Sequence, residues 1–340
     1  MAMLIGRERE QALLRAAEEA DRSQLVAVYG RLRVGKTFLI HETFRNGFAF
    51  QHTGVYGESR ARQLAAFSHS LKDAGLAYDT PVPTNWFETF QQLKSVVNAS
   101  TLQKKVVLLD ELSWMDTPKS SMMQAFEYFW NSWASARNDV LLILCSSASS
   151  WMLDKVVHDT GGLYHRLNRQ IHLRPSPLTW CKCYADANQL GLSDPQIVEL
   201  YMVLGGIPAY WSLLQRGHSV SRSLDLLFFD TKAPLAREHD LLLASLFRRP
   251  EPYRKIVGAL SRRKKVLTRS EILEATGIAD TGAFSKQLEH LESCGLIRAY
   301  KAFGKRKKDS LFQLMDPSIP FHYRFLGSRP HDPHYWTHHR

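Results

Sequence analysis

Cysteine is scarce in this 340-residue chain. Its four residues, Cys145, Cys181, Cys183 and Cys294, are too few and too scattered to form a disulfide framework. Cys181 and Cys183 have one residue between them rather than the two usual in zinc pairs, so both are expected to be reduced thiols. No apolar run approaches the roughly 18 residues needed to span a bilayer. The first residues lack the charged and apolar blocks of a secretory signal, and neither internal repeats nor low-complexity tracts occur. The expectation is a soluble, cytoplasmic protein with no membrane partner. Acidic residues are also in short supply, 33 Asp and Glu against 44 Lys and Arg, a net charge of +11. The imbalance is local: residues 254–308 hold 14 Lys or Arg against 5 Asp or Glu, a balance of +9. Such a patch is either a solvated face or a surface for a polyanion.

The length allows two or three domains, and 44% hydrophobic residues suffice for their cores. The organising stretch is Leu25-Val26-Ala27-Val28-Tyr29-Gly30-Arg31-Leu32-Arg33-Val34-Gly35-Lys36-Thr37-Phe38. An apolar β-branched run turns at a glycine, passes through basic residues and reaches Gly-Lys-Thr where a helical pattern begins. This is G-x-x-x-x-G-K-T, from Gly30 to Thr37, in a strand–loop–helix context. Gly30 and Gly35 permit the backbone angles that aim successive N–H groups at one anion, and the helix N-terminus adds partial positive charge. Lys36 supplies an ammonium for the terminal phosphates and Thr37 a hydroxyl for Mg²⁺. The whole segment from Gly30 to Phe38 is assigned to nucleotide binding, with ATP and Mg²⁺ as ligands.

Lys104-Lys105-Val106-Val107-Leu108-Leu109-Asp110-Glu111 is the second diagnostic run. Its continuous apolar core implies a strand buried on both faces, as in a parallel sheet, with an acidic pair at its C-terminal edge. Asp110 is the expected Mg²⁺ partner and Glu111 the base that orients and deprotonates water. Val140-Leu141-Leu142-Ile143-Leu144-Cys145 is a further buried strand, ending in Ser146-Ser147-Ala148-Ser149-Ser150. Ser147 either touches the γ-phosphate or the water, or these serines cap the following helix. Strands are also expected at 48–52 and 169–173, and helices at 60–74 and 86–98. The fold class is therefore α/β, a P-loop NTPase with a doubly wound parallel sheet over residues 1–175. Residues 176–249 are wholly helical and read as a lid, interrupted at Gly205-Gly206-Ile207-Pro208. Residues 250–316 contain three helical segments, the second opened by a Thr268–Glu271 capping box, and two strands flanking Gly304-Lys305-Arg306-Lys307-Lys308-Asp309. That is the pattern of a winged helix. Residues 317–340 form a tail whose histidines have no scaffold suited to a metal.

These features together resemble the archaeal-type ATPases of the STAND group, P-loop NTPases close to the AAA+ proteins, over nearly the whole chain. Ile5-Gly6-Arg7-Glu8-Arg9-Glu10 is similar to the hydrophobic-Gly-Arg-x-x-Glu element of that group, and Leu109-Asp110-Glu111 to its metal and base pair. Leu163-Tyr164-His165-Arg166-Leu167-Asn168-Arg169 resembles its arginine-bearing segment, and Gly205-Gly206-Ile207-Pro208 its lid motif. The resemblance implies that Arg7, paired with Glu10, sits by the base, and that Pro208 packs on adenine. It also implies that Arg166 or Arg169 neutralises charge on the γ-phosphate, in cis or from a neighbouring copy. Ordinary roles remain open for each: a helix-surface pair for Arg7, a helix start for Pro208. Relatives continue past an Asp-Pro-Phe-like stretch, here Asp316-Pro317-Ser318-Ile319-Pro320-Phe321, into a nuclease-like domain; no nuclease function is carried over.

Two functions follow. The first is an Mg²⁺-dependent ATPase switch whose nucleotide state moves lid and winged helix, adenine being favoured because no Asn-Lys-x-Asp guanine motif is present. The second is a nucleotide-gated regulator binding double-stranded DNA through Lys286, Lys305, Arg306, Lys307 and Lys308, with hydrolysis as a slow reset. A homo-oligomer or a protein partner fits either. A small-molecule kinase is a third reading, but nothing marks an acceptor pocket.

Overall fold

The computed structural model describes residues 4–158, 161–247, 249–262, 266–301, 310–327 and 334–339. Lys305, Arg306, Lys307 and Lys308, expected on a basic wing, lie outside the described residues. The chain divides into two units: one of residues 1–30 and 36–173, the other of residues 31–35 and 174–340.

The first unit is built on helix α1 (Glu8–Glu18), strand β1 (Gln24–Tyr29), α2 (Lys36–Thr43), β2 (Phe50–Thr53), α3 (Arg60–Asp73), α4 (Trp86–Ala99), β3 (Lys105–Asp110), α5 (Met122–Ser132), β4 (Val140–Ser146) and β5 (Arg169–His172). The five strands are all parallel, in the order β2-β3-β4-β1-β5. Every residue of β1 and of β4 is buried, which accounts for their unbroken apolar character. A parallel sheet covered on both faces needs helices, and their starts are written locally. Asn85 accepts from the Glu88 N–H at 3.0 Å at the head of α4, and Ser59 accepts from Arg62 at the head of α3. One face of the sheet carries an aromatic cluster in which Phe67 meets Phe50, Trp86 and Phe90, and Phe90 in turn meets Phe126 and Phe129. Truncating a fully buried ring such as Trp86 costs about 3–5 kcal/mol.

His52 on β2 is buried against Phe67 and shares a 2.8 Å hydrogen bond with the Ser70 hydroxyl. Burial lowers its pKa from 6.5 to about 4. The folded state therefore favours neutral imidazole. Its contribution to stability is complete above the unfolded pKa and is lost as pH falls through the folded one. Between pH 7 and pH 5 this one group should cost about 2 kcal/mol. Denaturant unfolding of His52→Gln is expected to show a shallower acid-side loss than the parent chain. An unchanged slope would remove His52 from the pH dependence.

The second unit begins with α6 (Leu178–Ala187) and α7 (Asp194–Leu204), the latter opened by a Ser193–Gln196 capping box and followed by a short helix, Pro208–Trp211. Gly206 permits a close backbone approach: its carbonyl accepts from Ser176 N–H at 2.7 Å, and a Cβ would stand 1.7 Å from the Ser176 carbonyl oxygen. The unit continues through α8 (Glu238–Leu246), α9 (Glu251–Arg262), β6 (Leu267–Thr268), α10 (Arg269–Thr276), α11 (Gly282–Ser293), β7 (Ile297–Tyr300) and β8 (Leu311–Leu314). The last three strands form an antiparallel sheet ordered β6-β8-β7. The Thr268–Glu271 capping box forms at α10, and Phe284, Leu288 and Leu291 of α11 turn inward. They join one apolar cluster with Leu242, Leu243 and Ile256, on which Leu32 also packs. No helix among the described residues is long and apolar enough to cross a membrane.

Candidate nucleotide site

In a parallel sheet all strands end on one edge, and the strand order decides which ends are neighbours. β4 pairs with β1 on one side and β3 on the other, Tyr29 opposite Ser146 and Leu109 opposite Leu144. The ends of these three strands, Gly30, Asp110–Glu111 and Ser146–Ser147, are thereby brought together.

Gly30 is buried with φ +154°, and a Cβ there would stand 2.2 Å from the Leu173 carbonyl oxygen, so the turn out of β1 admits no side chain. Gly35, at φ +89°, precedes the first turn of α2. The buried Lys36 ammonium donates to the Gly30 carbonyl at 3.0 Å and to the Ser147 hydroxyl at 2.9 Å. The Thr37 hydroxyl donates to Asp110 Oδ2 at 2.7 Å, while the Glu111 N–H donates to Asp110 Oδ1 at 2.9 Å. Two hard oxygen donors, one a buried carboxylate, held side by side suit Mg²⁺. The fully buried Cys145 lies beside Asp110; burial first, then that carboxylate, holds its thiol well above the usual range.

Glu111 takes a left-handed backbone, φ 46°, one residue past the end of β3. Such a conformation costs of order 1–3 kcal/mol in a non-glycine residue and is kept where the surroundings hold it. Here Ser147 does so, donating its N–H to Glu111 Oε2 at 3.0 Å and its hydroxyl to Oε1. Burial raises the Glu111 pKa above 4.5; Lys36 and the two Ser147 hydrogen bonds oppose that rise without cancelling it. A carboxylate held partly toward its protonated form, beside a cation and a metal-type oxygen pair, is suited to accepting a proton from water.

The short helix that follows the serines, Ser149–Met152, has no side-chain cap. Ser147 points into the site, whereas Ser146 accepts from the Ala148 N–H at 3.1 Å and bonds the Ser113 hydroxyl at 3.0 Å. Phe38 is part-exposed on α2. Arg7 is buried, and its guanidinium meets Glu10 at 3.3 Å.

The side chains of Arg31, Leu32 and Arg33 have partners of their own. Arg31 is buried and ion-paired with Asp316, and it donates to the Tyr210 hydroxyl at 3.2 Å. Arg33 pairs with Glu238 at 2.9 Å, and Leu32 packs on the second unit's core. What this stretch can offer a phosphate is backbone. Val34 is buried. Pro208 is the first residue of its short helix. Arg169 stands opposite Val26, near the start of β1 and away from the phosphate loop, and its guanidinium donates to the Ala16 carbonyl at 3.3 Å. Arg166 is exposed in the preceding turn. Sequence reasoning missed Tyr210 and Glu238 as partners of the loop; two arginines in a loop that needs no side-chain cation was the available signal.

No family model matches the chain. An uncharacterized protein of Methanocaldococcus jannaschii is 22% identical over 334 residues, 95% of this chain and 69% of that protein. Among solved structures, a Walker-type ATPase of Pyrococcus abyssi superposes with a TM-score of 0.65 at 18% identity, over 95% of this chain and 96% of the other. The ORC2 protein of Aeropyrum pernix, solved in ADPNP–ADP complexes, gives 0.51 at 15% identity, over 94% of each chain. The chain thus has the mixed α/β, parallel-sheet fold of P-loop ATPases of this kind.

Proposed function

We propose that the protein binds and hydrolyses ATP with Mg²⁺ and works as a molecular switch of the STAND type. The observation that carries this reading is the convergence of Lys36, Thr37, Asp110, Glu111 and Ser147 on one sheet edge, each bonded to another member of the set. The loop amides and Lys36 hold the phosphates. Thr37 and Asp110 would hold the Mg²⁺, which when bound neutralises phosphate oxygens. Glu111 orients water in line with the γ-phosphate and takes its proton, and Ser147 fixes the Glu111 carboxylate until then. The likeness to a Walker-type ATPase of Pyrococcus abyssi supports the same reading. Arg169, away from its own loop, and the exposed Arg166 fit a role toward the nucleotide of a second copy. The test is release of labelled phosphate from γ-labelled ATP with and without Mg²⁺. Metal-dependent turnover is expected, and none in either condition would contradict the proposal.

A second reading, a nucleotide-gated DNA-binding regulator, draws on the +9 balance of residues 254–308 and on Lys286, exposed on α11. We take residues 250–316 as a winged helix on the order of their helices and strands. If Lys305, Arg306, Lys307 and Lys308 meet phosphates, neutralising them should flatten the slope of log K against log salt for duplex DNA by about 3–4. An unchanged slope would put them elsewhere.

A further inference from the structure

The loop side chains described above are not idle, and all of their partners belong to the unit that also contains residues 31–35. Arg31 is ion-paired with Asp316 and donates to Tyr210; the Tyr210 hydroxyl donates to Glu238 Oε1 at 2.8 Å; Glu238 Oε2 meets Arg33. Asp316, Tyr210 and Glu238 are all buried. Burial alone would lower the Arg31 pKa, but Asp316, Tyr210 and Glu238 together drive it upward, so the guanidinium is charged. Arg33 is held at φ 69°, a left-handed conformation that its pairing with Glu238 helps to fix.

Asp316 has a second task. Its Oδ1 accepts from the Ser318 N–H at 2.9 Å and the Ser318 hydroxyl at 2.7 Å, at the first residue of the helix Ser318–Phe321. One carboxylate thus fixes the start of the segment that follows β8 and the first variable residue of the phosphate loop. That loop is joined by peptide bonds to Gly30 and Lys36, which carry the nucleotide chemistry.

We propose that Asp316 is a positioning residue for the phosphate loop, acting through Arg31, and that it ties nucleotide affinity to the conformation of the segment beginning at Asp316. This rests on the nucleotide reading above and adds its regulation. A buried ion pair is a poor way to gain stability, since apolar residues fill such space as well, but it specifies one arrangement, and losing one partner strands the other's charge. With Asp316 neutralised, Arg31 leaves its site to regain solvent and carries the loop with it.

The experiment is a double-mutant cycle on the full chain, read by titration with a fluorescent ATP analogue in Mg²⁺, with hydrogen exchange of residues 311–321 as a second measurement. Asp316→Asn and Arg31→Met are each expected to weaken binding about tenfold or more, and the double variant to be no weaker than the weaker single. In the wild-type chain, ATP should slow exchange at 311–321, the reciprocal of the same coupling. Effects that multiply in the double variant, or exchange that ATP leaves unchanged while binding is intact, would overturn the coupling and spare the nucleotide reading. A wild-type chain that binds no ATP would overturn both. If the single variants unfold, the wild-type exchange measurement decides alone.

Discussion

Glu111→Gln should still bind ATP while phosphate release falls by about 10²–10⁴-fold, the range a positioned general base contributes. The amide keeps the size of the carboxylate: its oxygen can accept from the Ser147 N–H and its NH2 can donate to the Ser147 hydroxyl oxygen, so the left-handed turn after β3 retains its supports. What it loses is the ability to take a proton. The pH profile offers a second reading of the same residue. Burial raises the Glu111 pKa above 4.5, and a protonated base is inactive, so hydrolysis should decline on the acid side at a pH above that value. Equal turnover in Glu111→Gln would remove the residue from the mechanism. Loss of ATP binding in the same variant would make its role structural.

Lys36→Met should fail earlier, at binding, by on the order of 100-fold, as expected for losing charge-assisted hydrogen bonds to phosphate. In the structure the ammonium is hydrogen-bonded to the Gly30 carbonyl and the Ser147 hydroxyl, both neutral, and the buried Glu111 can answer loss of the cation by taking up a proton. The fold should survive, and a thermal melt checks this. Because Lys36 is the strongest influence opposing the rise of the Glu111 pKa, its loss should also push that carboxylate further toward its protonated form. The two variants therefore separate binding from chemistry: one loses affinity, the other turnover.

Much of the first unit was legible in the sequence because its signals are local. The apolar runs ending in Gly30, in Asp110–Glu111 and in Ser146–Ser147 became three adjacent strands, and helices formed over 60–73 and 86–99 where 60–74 and 86–98 were expected. Their lateral order was not local. Nothing in the run of residues 140–145 states that it lies between β1 and β3, yet that placement is what sets Ser147 against Glu111. The surroundings of the basic residues in the phosphate loop were not legible for a similar reason. The carboxylate partners of Arg31 and Arg33 lie more than 200 residues away and appear only when the chain folds. Arg169 was legible as the start of a strand, but strand direction, not composition, puts it at the edge away from the loop.

The most direct measurement is equilibrium binding of radiolabelled ATP to the wild-type chain and to Lys36→Met, side by side with Mg²⁺ present. Saturable binding by the wild type, weakened on the order of 100-fold in the variant, is the predicted result. Label that fails to bind the wild type, or binds both chains equally, would contradict the assignment of residues 30–37 to a nucleotide.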